Sequence, residues 1–407
     1  MAVDLKNIPD TCIRPTPPRL SRWIVFLIFL IGLSIVYSRL VTGENNVLVS
    51  VGIPGIITGC LYFSSYLIYL LKQIFASAYD KERENTIIQE VRRGRRALQI
   101  LAAECCTAHS EPETPLASVS ANLLRNDNVL FTQRSWRDEE NIRLSQLARI
   151  AGLSDEKHLE MLFISLAKQL AQTLALLPAD KPLLLLFESS SSIPEEKAEA
   201  LWWQAWKTSG IQQSCSRISG SGMQVVDEWL DHRIHSDALL LVVSWQYSPV
   251  NTPMSAEAIT GILLGNRLTQ HAISPLAFLH RPEAVGTSPD AFEYALGQAL
   301  DWVHLAPAIP GHIWLAGVTT DDSEHIPLMK AISSASLSGV DQQTGVHDFT
   351  DYLGLPDKAA SWLAVAAAAQ AIQQHPAYHL LICREQQNGK VWNMIVSPAI
   401  SGQEGER

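Results

Sequence analysis

Within Ser219-Gly220-Ser221-Gly222, Ser219 has the chemistry of a hydrolase nucleophile, and Gly220 and Gly222 that of a phosphate cradle. A loop or a helix start accounts for it equally well, and no Gly-Lys-Ser/Thr follows to complete a phosphate loop. Cys215 brings a thiol four residues earlier. Asp321, Asp322 and Glu324 form an acidic turn, fit for acid–base work or for capping the next helix. His232 and His235, with Asp231 and Asp237, have spacing that a metal can use, as a solvated helix end also would. His375 and His379 flank Pro376 in a loop. Trp202, Trp203 and Trp206 cluster on one helix, either as core or as anchors for a protein partner.

The elements around these residues read as layered α/β. Pro182–Glu188 and Ala238–Ser244 are continuous apolar runs, the pattern of strands buried on both faces. Ser192-Ile193-Pro194-Glu195 predicts a capping box, with a proline in the first turn of the tryptophan helix. Further helices are expected over 138–152, 155–177, 223–232, 289–303, 324–334 and 359–373, and further strands over 129–132, 256–265, 275–279 and 313–318. Ala97–Ala108 fits a helix or a buried strand. Asn388-Gly389 predicts a hairpin joining strands over 378–385 and 390–397.

Two apolar stretches, Trp23–Tyr37 and Val47–Leu71, predict a transmembrane hairpin, with Tyr62, Tyr66 and Tyr69 toward one interface. Arg14, Arg19 and Arg22 precede it, and Lys72, Lys81, Arg83, Arg92, Arg93, Arg95 and Arg96 follow it. The positive-inside rule then puts both termini in the cytoplasm. Arg92, Arg93, Arg95 and Arg96 are a membrane-proximal basic cluster, suited to anionic lipid or to a solvated linker. The expected order is a tail (1–22), hairpin (23–72), charged connector helix (73–96), α/β domain (97–400) and short tail (401–407). The net charge of −10 splits into +3 for residues 1–79 and −13 for the rest, which argues against nucleic acid. Six cysteines without a C-x-x-C pair make neither a zinc site nor a disulfide framework, and free thiols suit a reducing compartment.

Three stretches together resemble the thiolase and β-ketoacyl synthase superfamily: Ser219–Val226 with the helix and strand after it, residues 312–332, and Gly354–Ser361 running into an alanine-rich helix and a closing hairpin. The resemblance implies a thiolase-like layered α/β/α domain, and its enzymes use a cysteine nucleophile with two histidines. Aligned to that pattern, the nucleophile falls at Ser219, the first histidine at Ala316 and the second at Leu355. Alanine and leucine move no proton, so no catalytic residue, cofactor or metal is expected and the domain reads as non-catalytic. The resemblance also makes a homodimer plausible.

The layout of a double span, RRGRRALQILAAE and a degenerate thiolase-like domain is similar to the lipase-adaptor family of type VI secretion systems. That implies a bacterial inner-membrane protein whose partners are a secreted lipase effector and spike proteins. The rival reading is a membrane-associated acyl transferase or condensing enzyme with a site rebuilt around Ser219 or Cys215, or an acyl- or lipid-binding protein.

Overall fold

The computed structural model describes residues 8–41, 47–111, 113–134, 141–250, 254–288, 290–303, 310–319, 325–332, 337, 340–341 and 343–399. The chain divides into two compact units, Val3–Arg92 and Arg93–Arg407.

The first unit is built on α1 (Leu20–Val41) and α2 (Val47–Gly94). Both are long and apolar enough to cross a membrane, with mean hydropathy 2.1 over Leu20–Leu40 and 1.5 over Ser50–Gly94. None of the first window is buried within the protein. The charged connector is helical and continues the second apolar stretch as one helix of 48 residues ending at Gly94, because no proline or glycine interrupts residues 60–93. At 1.5 Å per residue it runs about 72 Å, more than twice a hydrocarbon core of about 30 Å.

In the second unit the chain forms β1 (Ala97–Cys106), α3 (Ser120–Leu124), β2 (Phe131–Arg134), β3 (Asn141–Leu144), α4 (Asp155–Leu174), β4 (Leu183–Ser191), α5 (Glu195–Thr208), β5 (Cys215–Arg217), α6 (Gly222–His232), β6 (Leu239–Tyr247) and β7 (Ala258–Asn266). It goes on through β8 (Ala277–His280), β9 (Glu283–Ala284), α7 (Ala291–Asp301), β10 (His312–Ala316), α8 (His325–Ile332), β11 (Val346–Asp348), α9 (Phe349–Tyr352), a 3-10 turn (Asp357–Ala359), α10 (Ala360–Gln374), β12 (His379–Arg384) and β13 (Val391–Pro398).

The main sheet runs β11-β10-β12-β13-β8-β1-β7-β6-β4-β5, with β9 on β13. This order is a duplication. Counting β1, β4, β5, β6 and β7 as one set and β8, β10, β11, β12 and β13 as another, each is arranged third-second-fourth-fifth-first. In each set the third, second and fourth strands are parallel, and the fifth is antiparallel to both neighbours. The two first strands, β1 and β8, join the sets antiparallel.

Strand alternation divides the core into layers. Leu240 and Val242 of β6 face a middle layer with α6 and α10, which also takes Trp314, Leu381, Cys383 and Met394 from the other set. Leu239, Leu241, Val243 and Trp245 face an outer layer with α4 and α5. Ile313, Leu315, Leu380 and Ile382 face a second outer layer with α7 and α8. A strand between two helical layers needs apolar residues on both faces, hence the continuous runs. Helix α10 is buried on almost every side, and its alanines let strands of both sets approach it.

Several expectations are corrected here. Of the helix expected over 138–152, the described residues 141–152 form none: Ile142 and Leu144 alternate inward along β3, which pairs with β2. The period-two burial wins over the helical spacing of Leu144 and Leu147. The capping box does not form, because Pro194 rather than Ser192 takes the cap position of α5 and no side chain caps the helix. Trp202 is buried against Phe163, 5.7 Å away, and Phe187, Trp206 is buried against Trp202, and both are core rather than exposed anchors. Trp203 is half-buried and its Nε1 donates to Glu199.

Candidate functional site

Helix α6 starts in the middle layer at a sharp turn. Ser221 precedes it in extended geometry, φ −150° and ψ 146°, exposed and with no side-chain bond to the helix. Gly222 is buried at φ +55°, a left-handed conformation that side chains rarely adopt. A Cβ at position 222 would collide with Glu385 Oε1, so a side chain there would also have to displace that carboxylate.

Two carboxyls meet the positive end of α6. Gly222 N donates to Glu188 Oε1 and Met223 N donates to Glu385 Oε1, each at 2.9 Å. Trp362 Nε1, on α10, donates to the other oxygen of Glu188 at 2.6 Å. Asn388 Nδ2 donates to Glu385 Oε2 at 2.8 Å. Glu188, Gly222, Glu385 and Asn388 line one cleft together with Ser221, Lys358 and Ser361. About 20 Å³ of it is open to the centre of a water molecule, room for roughly one.

Burial pushes the Glu188 carboxyl above its ordinary value and the Glu385 charge adds to that, while its bonds from Gly222 and Trp362 and the nearby Lys358 charge pull the other way. Cys383, behind Ser361, is pushed up to about 12 by burial, although a hydrogen bond with Ser361 opposes this. The cleft therefore holds an exposed hydroxyl, a carboxyl shifted toward basicity and an ammonium. A nucleophile, a base and a charge for a developing oxyanion are the parts acyl transfer uses.

Ser219 is exposed in the loop before α6, two residues short of Ser221. Ala316 is buried at the end of β10, opposite Cys383. Leu355 is half-buried; its amide donates to Met254 O, and its carbonyl accepts from Ala256 N and Gln246 Nε2. None of the three lines the cleft. Cys215 is pushed up to about 12 by burial, which disfavours the thiolate.

Among the described residues no group of three or more His, Cys, Asp or Glu side chains is placed to hold a metal. Asp231 is taken by Arg93 and Arg281. His379 is buried and its Nδ1 accepts from Trp314 Nε1 at 2.8 Å. Asp321, Asp322 and Glu324 lie outside the described residues. Of the basic cluster, Arg92 is exposed and Arg95 half-buried, Arg93 pairs with Asp231, and Arg96 Nη1 donates to Leu230 O at 2.7 Å.

Sequence reasoning missed Glu188, Lys358 and Glu385. Glu188 terminates the apolar run 182–187 and Glu385 follows the apolar β12. An acid that closes an apolar strand run was the available signal, since open α/β sheets hold their ligands toward the carboxyl ends of their strands.

No family model matches this chain, and no curated protein matches it. Solved structures do. The oxazolomycin ketosynthase domain OzmH KS7 of Streptomyces albus superimposes at TM-score 0.52 with 11% identity, over 76% of this chain and 77% of that one. The PfaC keto synthase–chain length factor gives 0.52 at 12% identity, over 75% of this chain and 43% of that one. The ishigamide ketosynthase/chain length factor gives 0.50 at 10% identity, over 74% and 99%. The fold is thiolase-like.

That likeness bears out the fold expected from the three sequence stretches. It also corrects the expectation, drawn from Ser219, Ala316 and Leu355, that the chain is not an enzyme: its scaffold is one that ketosynthases use. The comparisons do not bear on the lipase-adaptor resemblance.

Proposed function

We propose that this chain is a membrane-tethered enzyme of the acyl-transfer class, acting on an acyl ester or thioester at the α6 cleft. One observation carries the reading: exposed Ser221 shares that cleft with Glu188, whose carboxyl burial has made more basic, and with Lys358. Ser221 Oγ attacks the acyl carbonyl carbon and gives its proton to Glu188. The Lys358 ammonium stabilises the tetrahedral oxyanion. The bond to the leaving thiol or alcohol breaks, and that group departs with the proton from Glu188. A hydroxyl, amine or water then attacks the Ser221 ester, and the serine is restored. The two apolar helices hold the enzyme at a bilayer, with the acidic domain on the cytoplasmic face, as the flanking arginines favour.

The test uses the full chain in detergent micelles with radiolabelled octanoyl-coenzyme A and nitrophenyl octanoate. Label should reach the Ser221 peptide and vanish in Ser221→Ala. Turnover should fall roughly 10²–10⁴-fold in Glu188→Gln. It should fall roughly 10²–10³-fold in Lys358→Met. Wild-type protein that takes up no label and turns over neither probe would refute the reading.

A further inference from the structure

We infer that the turn between β12 and β13 is a plug that holds the cleft shut, with Glu385 as its stopper; this rests on the acyl-transfer reading of the cleft. Glu385 lies where an acyl carbonyl oxygen would have to go. Its carboxylate accepts the Met223 N–H at the start of α6, the donor a polarised carbonyl would use. It also closes so tightly over Gly222 that not even a methyl group fits between them.

The stopper is held from several sides. Asn388 Nδ2 fixes its second oxygen at 2.8 Å. Its own amide donates to Lys390 O, and its carbonyl accepts from Gly389 N, each at 2.9 Å. Gln386 Nε2 latches the turn to Gly317 O at 2.7 Å, and Lys390 Nζ reaches Gln224 Oε1 on α6 at 3.4 Å. Gln386, Gln387 and Asn388 are themselves exposed. The turn is thus pinned by side chains at its surface, not by a packed core, and can lift without unfolding the strands. Lifting it frees Met223 N–H for a substrate oxygen and leaves Ser221, Glu188 and Lys358 in place.

Hydrogen exchange of the full chain in micelles, read on peptides covering 219–225 and 385–390, tests the plug without reference to activity. Glu385→Ala and Asn388→Ala should each speed exchange at Met223, and Glu385→Ala should raise Ser221 labelling by octanoyl-coenzyme A roughly tenfold by enlarging the open fraction. Unchanged exchange in both variants overturns the plug. Faster exchange with a fall in labelling also overturns it, since Glu385 would then be part of the catalytic machinery. Faster exchange with no turnover in any form keeps the plug and removes the acyl-transfer reading instead.

Discussion

Arg281 has no exposed side-chain surface, and two carboxylates of α6 share it. Its Nη1 donates to Asp227, and its Nη2 donates to Asp231 at 2.6 Å. Arg93 Nε adds a 2.7 Å bond to the same Asp231. Burial alone would raise the Asp231 carboxyl, but the Arg93 and Arg281 guanidiniums hold it well below the usual range. Removing one partner of such a buried group leaves an uncompensated charge, which costs more than the pair itself contributes. Arg281→Met should therefore lower unfolding stability by about 3–5 kcal/mol in urea titrations. A loss under about 1 kcal/mol would mean that water takes the place of Arg281 and that the network is not sealed. None of this was legible from composition: Arg281 follows β8 and pairs with residues about fifty positions earlier, so only the folded sheet reveals it. The cleft is similar, because Glu188, Ser221, Lys358 and Glu385 come from four separate stretches and no local spacing joins them.

At the scale of elements, β10, β11 and β12 carry a histidine stack across their edge of the sheet. Asn126 Nδ2 donates to Val346 O, so its Oδ1 accepts from His347 Nδ1 at 2.8 Å. Neutral His347 must then accept from His312 Nδ1 through Nε2, at 3.0 Å. His312 in turn stacks on His379 at 4.8 Å. Burial, with His312 nearby, lowers His347 to about 3, and the same causes with His347 lower His379 to about 3. An unfolded chain takes up these protons as pH falls through about 6.5, whereas the folded stack refuses them until about 3. The stabilisation is whole above about pH 6.5 and is lost as pH falls toward 3. Glu104 and Glu283, raised to about 7 by burial, act in the opposite sense, so whole-protein curves mix the two. The difference between wild type and His347→Gln isolates the stack. The variant should be about 1 kcal/mol less stable near pH 7.5, from lost hydrogen bonds. That deficit should shrink by up to about 1.4 kcal/mol per pH unit below 6.5 in parallel thermal melts. A deficit that stays constant from pH 7.5 to 5 would show that the folded stack takes up protons as readily as the unfolded chain does.

The strands of this same region were the most legible part of the chain. β4, β6, β10 and the β12–β13 hairpin follow from apolar runs and an Asn-Gly turn. Ala97–Ala108 was ambiguous because a strand buried on both faces has no period to read, and β3 misled because four residues give too short a pattern. The duplication was not legible at all. It lies in strand order and direction, which long-range pairing decides.

Along its sequence the chain carries two strongly apolar stretches and then an acidic domain. Residues 1–79 carry +3, and the remaining residues −13. Arg14, Arg19 and Arg22 flank the hairpin on one side and Lys72, Lys81 and Arg83 on the other, while Arg39 stands nearly alone beside the short connection. Translocating either basic flank against the membrane potential is costly, at about 2.3 kcal/mol per charge per 100 mV. Insertion should therefore leave both flanks, and with them residues 93–407, on the cytoplasmic side. In right-side-out membranes, trypsin added outside should leave a C-terminal epitope intact. In inverted membranes the same protease should cut the exposed basic segment around Arg92 and remove the epitope with the domain. Reversing Arg14, Arg19 and Arg22 to glutamate together should produce a protease-sensitive fraction in right-side-out membranes, because the first flank no longer outweighs the connection. Epitope loss from wild type in intact right-side-out membranes would invert the topology, and would put the α6 cleft in a compartment without cytoplasmic acyl thioesters.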